Sequence, residues 1–147
     1  MNKRETVQAL VNSIQKGDFE SAKSMLADDF QYSGPTAESI DKDAGLGMSA
    51  SLKTAFPDLD YHFKVIGTEG DVVKTTSQLS GTHSGSLNLT ALNLGLIPAT
   101  DRNFITTREK TKITVKENKI TAWVVEPTQG AGMTEILKQL DVKPTAV

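Results

Sequence analysis

Two side chains in this sequence could move a proton near neutral pH from within apolar surroundings, Glu126 and His83. Glu126 closes the run Lys119-Ile120-Thr121-Ala122-Trp123-Val124-Val125-Glu126-Pro127. That run is β-branched and aromatic and ends in a proline that cannot continue a ladder, so it reads as a strand. Side chains alternate across a strand, which puts Ile120, Ala122, Val124 and Glu126 on one face and Thr121, Trp123 and Val125 on the other. The first face is small and apolar up to its carboxylate, about 6.5–7 Å beyond Val124, and reads as a pocket floor. Desolvation there would raise the carboxyl from about 4.3 toward neutrality, which suits a general base. The alternative is that the strand ends at Glu126, whose side chain then reaches solvent or the cap of the last helix. His83 lies in Gly81-Thr82-His83-Ser84-Gly85. Its imidazole could shuttle protons, or it could hydrogen-bond backbone where a strand leaves the sheet.

Other groups carry less chemistry. Tyr32 and Asp29 sit beside a short edge strand, and a tyrosine hydroxyl can polarise a carbonyl oxygen. Phe30 and Tyr32 are read as lying on opposite faces, which leaves open the one that points in. Tyr32 and Met48 join Ile120, Ala122 and Val124 as expected pocket lining. The bulkier face of Thr121, Trp123 and Val125 needs covering, and a second copy of the chain could cover it. His62 alternates with Tyr61 and Phe63 and reads as surface; Lys110 and Lys112 read as a solvated stripe. Met25 and Met133 read as core or lining. No metal site is expected, with two distant histidines, no cysteine and no His-x-x-x-His pair. Neither a P-loop nor Gly-x-Gly-x-x-Gly is present, so no cofactor is expected. Gly81–Gly85 has the wrong central residue for a nucleophile elbow.

The elements that must position these groups follow from periodicity. Val7, Leu10, Val11 and Ile14 form one helical stripe within Glu5–Lys16, stopped by Gly17, with Asp18 capping a second helix through Leu26. Asp28–Ser33 reads as the edge strand and Ser39–Ala55 as a third helix, ended by Phe56-Pro57. From Leu59 the period becomes two, predicting a hairpin of Leu59–Ile66 and Val72–Ser80 around Gly67–Asp71. Residues 88–100 are too apolar for a solvated loop and predict a lid or a short buried helix. Phe104–Glu117 and Ile120–Glu126 are strands, and Gly130–Leu140 is a helix with Met133, Ile136, Leu137 and Leu140 inward. Helices followed by antiparallel strands predict an α+β fold, a curved antiparallel sheet wrapped around the N-terminal helices with an internal pocket.

The 147 residues fit one domain spanning 1–147, with a core of about 5–141. A net charge of -2 gives no basic face for nucleic acid or anionic lipid. No apolar run is long enough for a membrane span, so a cytoplasmic location and no membrane partner are expected.

Taken together, the motifs resemble a known family. Gly17-Asp18-Phe19 with Leu26-Ala27-Asp28-Asp29-Phe30, Phe56-Pro57-Asp58-Leu59, Gly81-Thr82-His83-Ser84-Gly85, and Ile97-Pro98-Ala99-Thr100 followed by Asn118-Lys119-Ile120 and Trp123 are similar to the SnoaL-like polyketide (ester) cyclases. That group belongs to the nuclear-transport-factor-2-like superfamily of α+β (cystatin-like) cones. The resemblance implies a cavity for a small apolar or polycyclic carbonyl compound and acid/base chemistry without metal or cofactor. In its cyclase members a histidine directly before the tryptophan and an aspartate directly after it do that chemistry. Here those positions are Ala122 and Val124. Three functions follow: a cyclase- or isomerase-like enzyme using Glu126 or His83, a non-catalytic ligand-binding module, or a dimeric scaffold, with a homodimer expected.

Overall fold

The computed structural model describes residues 2–34, 39–89 and 95–142. The chain opens with a helical hairpin. Helix α1 (Lys3–Lys16) is capped by the Asn2 side chain and ended by Gly17, whose φ of 82° an L side chain would resist. Helix α2 (Phe19–Ser24) starts at Asp18, whose carboxylate accepts from the Ser21 N–H at 3.2 Å. Strand β1 (Leu26–Ser33) takes over earlier than predicted. Helix α3 (Lys42–Ala55) is capped by Asp41. Then come β2 (Lys64–Glu69), β3 (Val72–Ser77), β4 (Ser80–Thr82), β5 (Leu87–Asn88), β6 (Leu96–Ile97), β7 (Asn103–Ile105), β8 (Glu109–Lys116), β9 (Lys119–Val125) and helix α4 (Met133–Gln139).

The main sheet has the order β1-β9-β8-β3-β2, antiparallel except where β1 runs parallel to β9. The fold is the expected α+β cone. Its curvature has a visible cause. The β3–β4 and β7–β8 strands are both interrupted at the same level, where Thr106 exchanges hydrogen bonds with Leu79 through backbone and hydroxyl. Beyond that kink β4 and β7 continue as a separate ribbon. The strand predicted from Leu59 begins only at Lys64. His62 adopts φ of +42°, so only an isolated Asp60–Ser80 bridge precedes it.

Two apolar clusters fill the cone. One joins Val7 and Leu10 of α1 to Phe30, Ile113 and Ile120 of the sheet. The other joins Phe56, Leu59 and Phe104 to Ile136, Leu137 and Leu140 near α4. Leu87, Leu89 and Ile97 are buried in this second cluster. At its described ends the apolar 88–100 stretch forms a two-stranded ribbon that pairs Leu87 with Ile97 and Asn88 with Leu96, and residues 90–94, within the stretch expected to be a lid or a buried helix, lie outside the described residues. Leu92, Leu94 and the Met133 side chain lie outside the described residues.

Strand β9 departs from strict alternation. Thr114 faces Ala122 but Val115 faces Ile120, so Thr121 is an extra residue, a β-bulge. A bulge reverses the faces beyond it. Ile120 is fully buried, and Trp123 also packs inward, although the two differ in parity.

Candidate active site

Between the two clusters lies a cavity of about 120 Å³. Its walls are apolar: Leu10, Leu26 and Phe30 on one side, Leu52 and Leu79 on the other, Trp123 and Val125 as its floor. Polar groups reach it from five elements, Ser77 of β3 among them. Tyr32 comes from β1, Ser49 from α3, Tyr61 from the segment before β2, and Glu109 from the first position of β8. Strand β8 alternates regularly, so Glu109 shares the inner face with Thr111, Ile113 and Val115, and it pairs in register with buried Ser77 of β3.

Burial raises the Glu109 carboxyl above its ordinary value. Burial, followed by the charge of Glu109, pushes the Tyr32 phenol up to about 12. Tyr61 is raised too, by burial first and by Tyr32 second, with Ser49 acting in the opposite sense. Both phenols therefore stay protonated at neutral pH and act as hydrogen-bond donors. The Ser49 hydroxyl donates to the Gly45 carbonyl at 3.1 Å. Neither Glu109 nor the Tyr32 hydroxyl has a hydrogen bond or ion pair with any described residue. An acid and two phenols thus converge on the cavity, with Tyr61 hydrogen-bonded to Ser49 and the Glu109 carboxyl and Tyr32 hydroxyl left without a side-chain partner among the described residues.

Several sequence assignments need correction. Tyr32 and Met48 do line the cavity. Phe30 and Tyr32 both face in, because residues two apart on a strand share a face. Ile120 is buried in the first cluster rather than on the cavity wall. Ala122 and Val124, beyond the bulge, point to the outer face, where Val124 is 40% exposed. Glu126 is on that outer face as well, 3.9 Å from Lys112 with a side chain 44% exposed, so it is not in the cavity. Trp123 and Val125, assigned to a partner protomer, line the cavity instead, and Thr121 is the extra residue of the bulge. His62 is a surface residue, its Nε2 2.9 Å from the Ser80 hydroxyl.

His83 is fully buried but away from the cavity. Its Nδ1 accepts the Thr100 N–H at 3.2 Å, so the neutral ring carries its proton on Nε2, which has no partner among the described residues. The ring packs on Phe56 at 5.4 Å. Around it the Phe-Pro-Asp and Gly-Thr-His segments are clasped together. The Asp58 carboxylate accepts from both the N–H and the hydroxyl of Thr82 at 2.8 Å. The Gly85 N–H donates to the Ala55 carbonyl, and a Cβ at Gly85 would sit 2.4 Å from the Thr54 oxygen. His83 is thus part of the frame that holds α3 to the β5–β6 ribbon.

This predicts a pH effect. Burial holds His83 below its ordinary 6.5, with Asp101 opposing. The unfolded chain then takes up the proton first, so stability falls as pH drops through 6.5 toward the lower folded value. Glu109 has the opposite sign, its raised folded value costing stability as pH rises above the ordinary 4.5. Denaturation curves of wild type and His83→Gln should converge as the medium is acidified from neutrality toward 4.5; parallel curves would contradict the assignment.

An α+β cone with an apolar cavity, an acid and two phenols at its centre defines a class of small pocket proteins. The chain belongs to the SnoaL-like polyketide cyclase family, whose model matches residues 4–130. Its fold is similar to a candidate SnoaL-like polyketide cyclase from Jannaschia sp. CCS1, at 17% identity and TM-score 0.74, covering 97% of this chain and 93% of that one. It is also similar to IdmH, a candidate polyketide cyclase from Streptomyces antibioticus, at 22% identity and TM-score 0.72, covering 97% and 100%. An LEH-like epoxide hydrolase of M. tuberculosis shares the fold at 18% identity and TM-score 0.62, covering 93% and 90%. No curated protein matches the sequence. No described helix is long and apolar enough to cross a membrane.

Proposed function

We propose that the chain is an enzyme that moves a proton on a small, apolar carbonyl compound, with Glu109 as the acid/base group. The observation that carries this is the convergence of Glu109, Tyr32 and Tyr61 on one apolar cavity. A desolvated carboxylate is a stronger base than one in water. It takes the proton from the carbon next to the carbonyl; the C–H electrons form the C=C bond, and charge moves to oxygen. Tyr32 and Tyr61 donate hydrogen bonds to that oxygen, stabilising the enolate. Return of the proton to another carbon is an isomerisation. If the enolate carbon instead attacks a second carbonyl of the same molecule, a C–C bond forms, and Glu109 gives its proton to the resulting alkoxide, closing a ring.

The volume of about 120 Å³ favours a compact ligand of about one ring over a polycyclic one, since an apolar cavity of about 150 Å³ accommodates benzene. Tyr32→Phe tests the donor role. It should lower kcat roughly 10²-fold while KM changes by less than about threefold. A loss confined to KM would make Tyr32 a binding residue only. The alternative is a binding module that keeps the cavity without turnover. Deuterium exchange into a small cyclic ketone, followed by NMR, discriminates: enzyme-dependent exchange supports the acid/base reading, and none supports the binding module.

A further inference from the structure

The cavity has a one-sided charge composition. Among the described residues its titratable lining groups are Glu109, Tyr32 and Tyr61, with no lysine, arginine or histidine. Several carboxylates of the surface have cations beside them: Asp71 has Lys3 at 2.7 Å, Glu69 has Lys74 at 2.8 Å, Asp28 has Lys42 at 2.9 Å and Glu126 has Lys112 at 3.9 Å. Glu109 has none among the described residues, although it sits between two cations in sequence. Arg108 donates to the Thr76 hydroxyl at 2.7 Å, and both Arg108 and Lys110 are exposed. Alternation along β8 turns Lys110 away while turning Glu109 in, and Arg108, in the break before β8, is engaged with Thr76.

A partly desolvated acid without a counter-charge has two ways to be relieved: it takes up a proton, or a cation comes to it. The walls suit the second, since the lining includes the aromatic rings of Trp123, Tyr32 and Tyr61, and such rings attract an ammonium group. We propose that Glu109 is a charge filter, making the cavity take uncharged and organic ammonium ligands and reject carboxylates and phosphates. Ligand specificity then depends on the same carboxylate whether or not it also transfers a proton. The inference rests on the cavity being the ligand site proposed above, and not on the proton-transfer step. It implies that a reactant bearing a carboxylate must be neutralised by an esterifying, amidating or decarboxylating reaction before it enters.

The test uses three probes of nearly equal bulk, cyclohexanone, cyclohexylammonium and cyclohexanecarboxylate, with affinities measured calorimetrically at mildly alkaline pH. Wild type should bind the ammonium at least about tenfold tighter than the carboxylate, with the ketone between. In Glu109→Gln the two ions should come within about threefold of each other and the ketone should stay within about twofold. In wild type, acidification should weaken the ammonium and leave the ketone unchanged, a readout that needs no variant to fold. The proposal is overturned if wild type binds carboxylate as tightly as ketone, if Glu109→Gln keeps the ammonium preference, or if none of the probes binds. Ketone deuterium exchange separates the two claims. Exchange lost in Glu109→Gln with the charge ranking intact would sink the filter and uphold proton transfer. A collapsed ranking with exchange unchanged would do the reverse.

Discussion

Glu109→Gln should lower turnover of a bound carbonyl compound by about 10²–10⁴-fold and leave the affinity for that neutral compound nearly unchanged. The amide matches the carboxylate in size and polarity but cannot accept a proton at neutral pH. At about 1.4 kcal/mol per tenfold, the loss is about 3–5.5 kcal/mol of barrier. The substitution should also be well tolerated by the fold. Glu109 has no ion pair to lose among the described residues, and burial already favours its uncharged form. Folding contributed by the protonated acid is present at low pH and lost as pH rises through its raised value. The glutamine variant should therefore be at least as stable as wild type at neutral pH. Steady-state kinetics beside thermal denaturation would check both halves. An unchanged kcat would end the acid/base assignment.

Phe56→Ala has the largest expected effect on stability. Phe56 is fully buried, meets Phe104 edge-on at 4.8 Å and His83 at 5.4 Å, and lies 3.1 Å from where a Cβ on Gly81 would sit. It therefore ties the end of α3 to the β4–β7 ribbon and to the His83 clasp. Truncating a buried phenylalanine costs about 3–5 kcal/mol from lost transfer energy and the void left behind. Packing this close cannot collapse cheaply, since the Asp58–Thr82 hydrogen bonds and the Gly85–Ala55 approach fix the surrounding backbone. Chemical denaturation should show a midpoint shift of that size with little change in slope. A loss under about 1 kcal/mol would mean the clasp does not depend on the ring. Phe56 does not line the cavity, so whatever fraction stays folded should keep its ligand affinity.

Much of the frame was legible in the sequence. The α1 stripe, the Gly17 stop, the Asp18 cap and the order of elements follow from local rules, and the motif set pointed to the family. The site was less legible, for one physical reason that acts twice. Periodicity assigns faces only while a strand stays regular. In β9 the extra Thr121 reverses the faces, turning Trp123 and Val125 inward and sending Val124 and Glu126 out. Between Phe104 and Glu109 the break at residues 106–108 does the same. Phe104 and Thr106 are buried, so unbroken alternation from them would have placed Glu109 outside. The signal that could have found Glu109 was the one spent on Glu126: a carboxylate at the end of an apolar alternating face, here Thr111, Ile113 and Val115. Tyr61 was hidden by the turn at His62, which detaches it from the strand expected to run from Leu59.

The central claim is that Glu109, not Glu126, is the carboxyl facing the ligand. The most direct measurement is a carbon-13 NMR titration of the glutamate side-chain carboxyls, with and without a small cyclic ketone. Glu109 should titrate above the ordinary glutamate value of 4.5 and its signal should move when the ketone is added, while that of Glu126 stays in place. A Glu109 signal that titrates at the ordinary value and ignores the ketone, with Glu126 responding instead, would contradict the account.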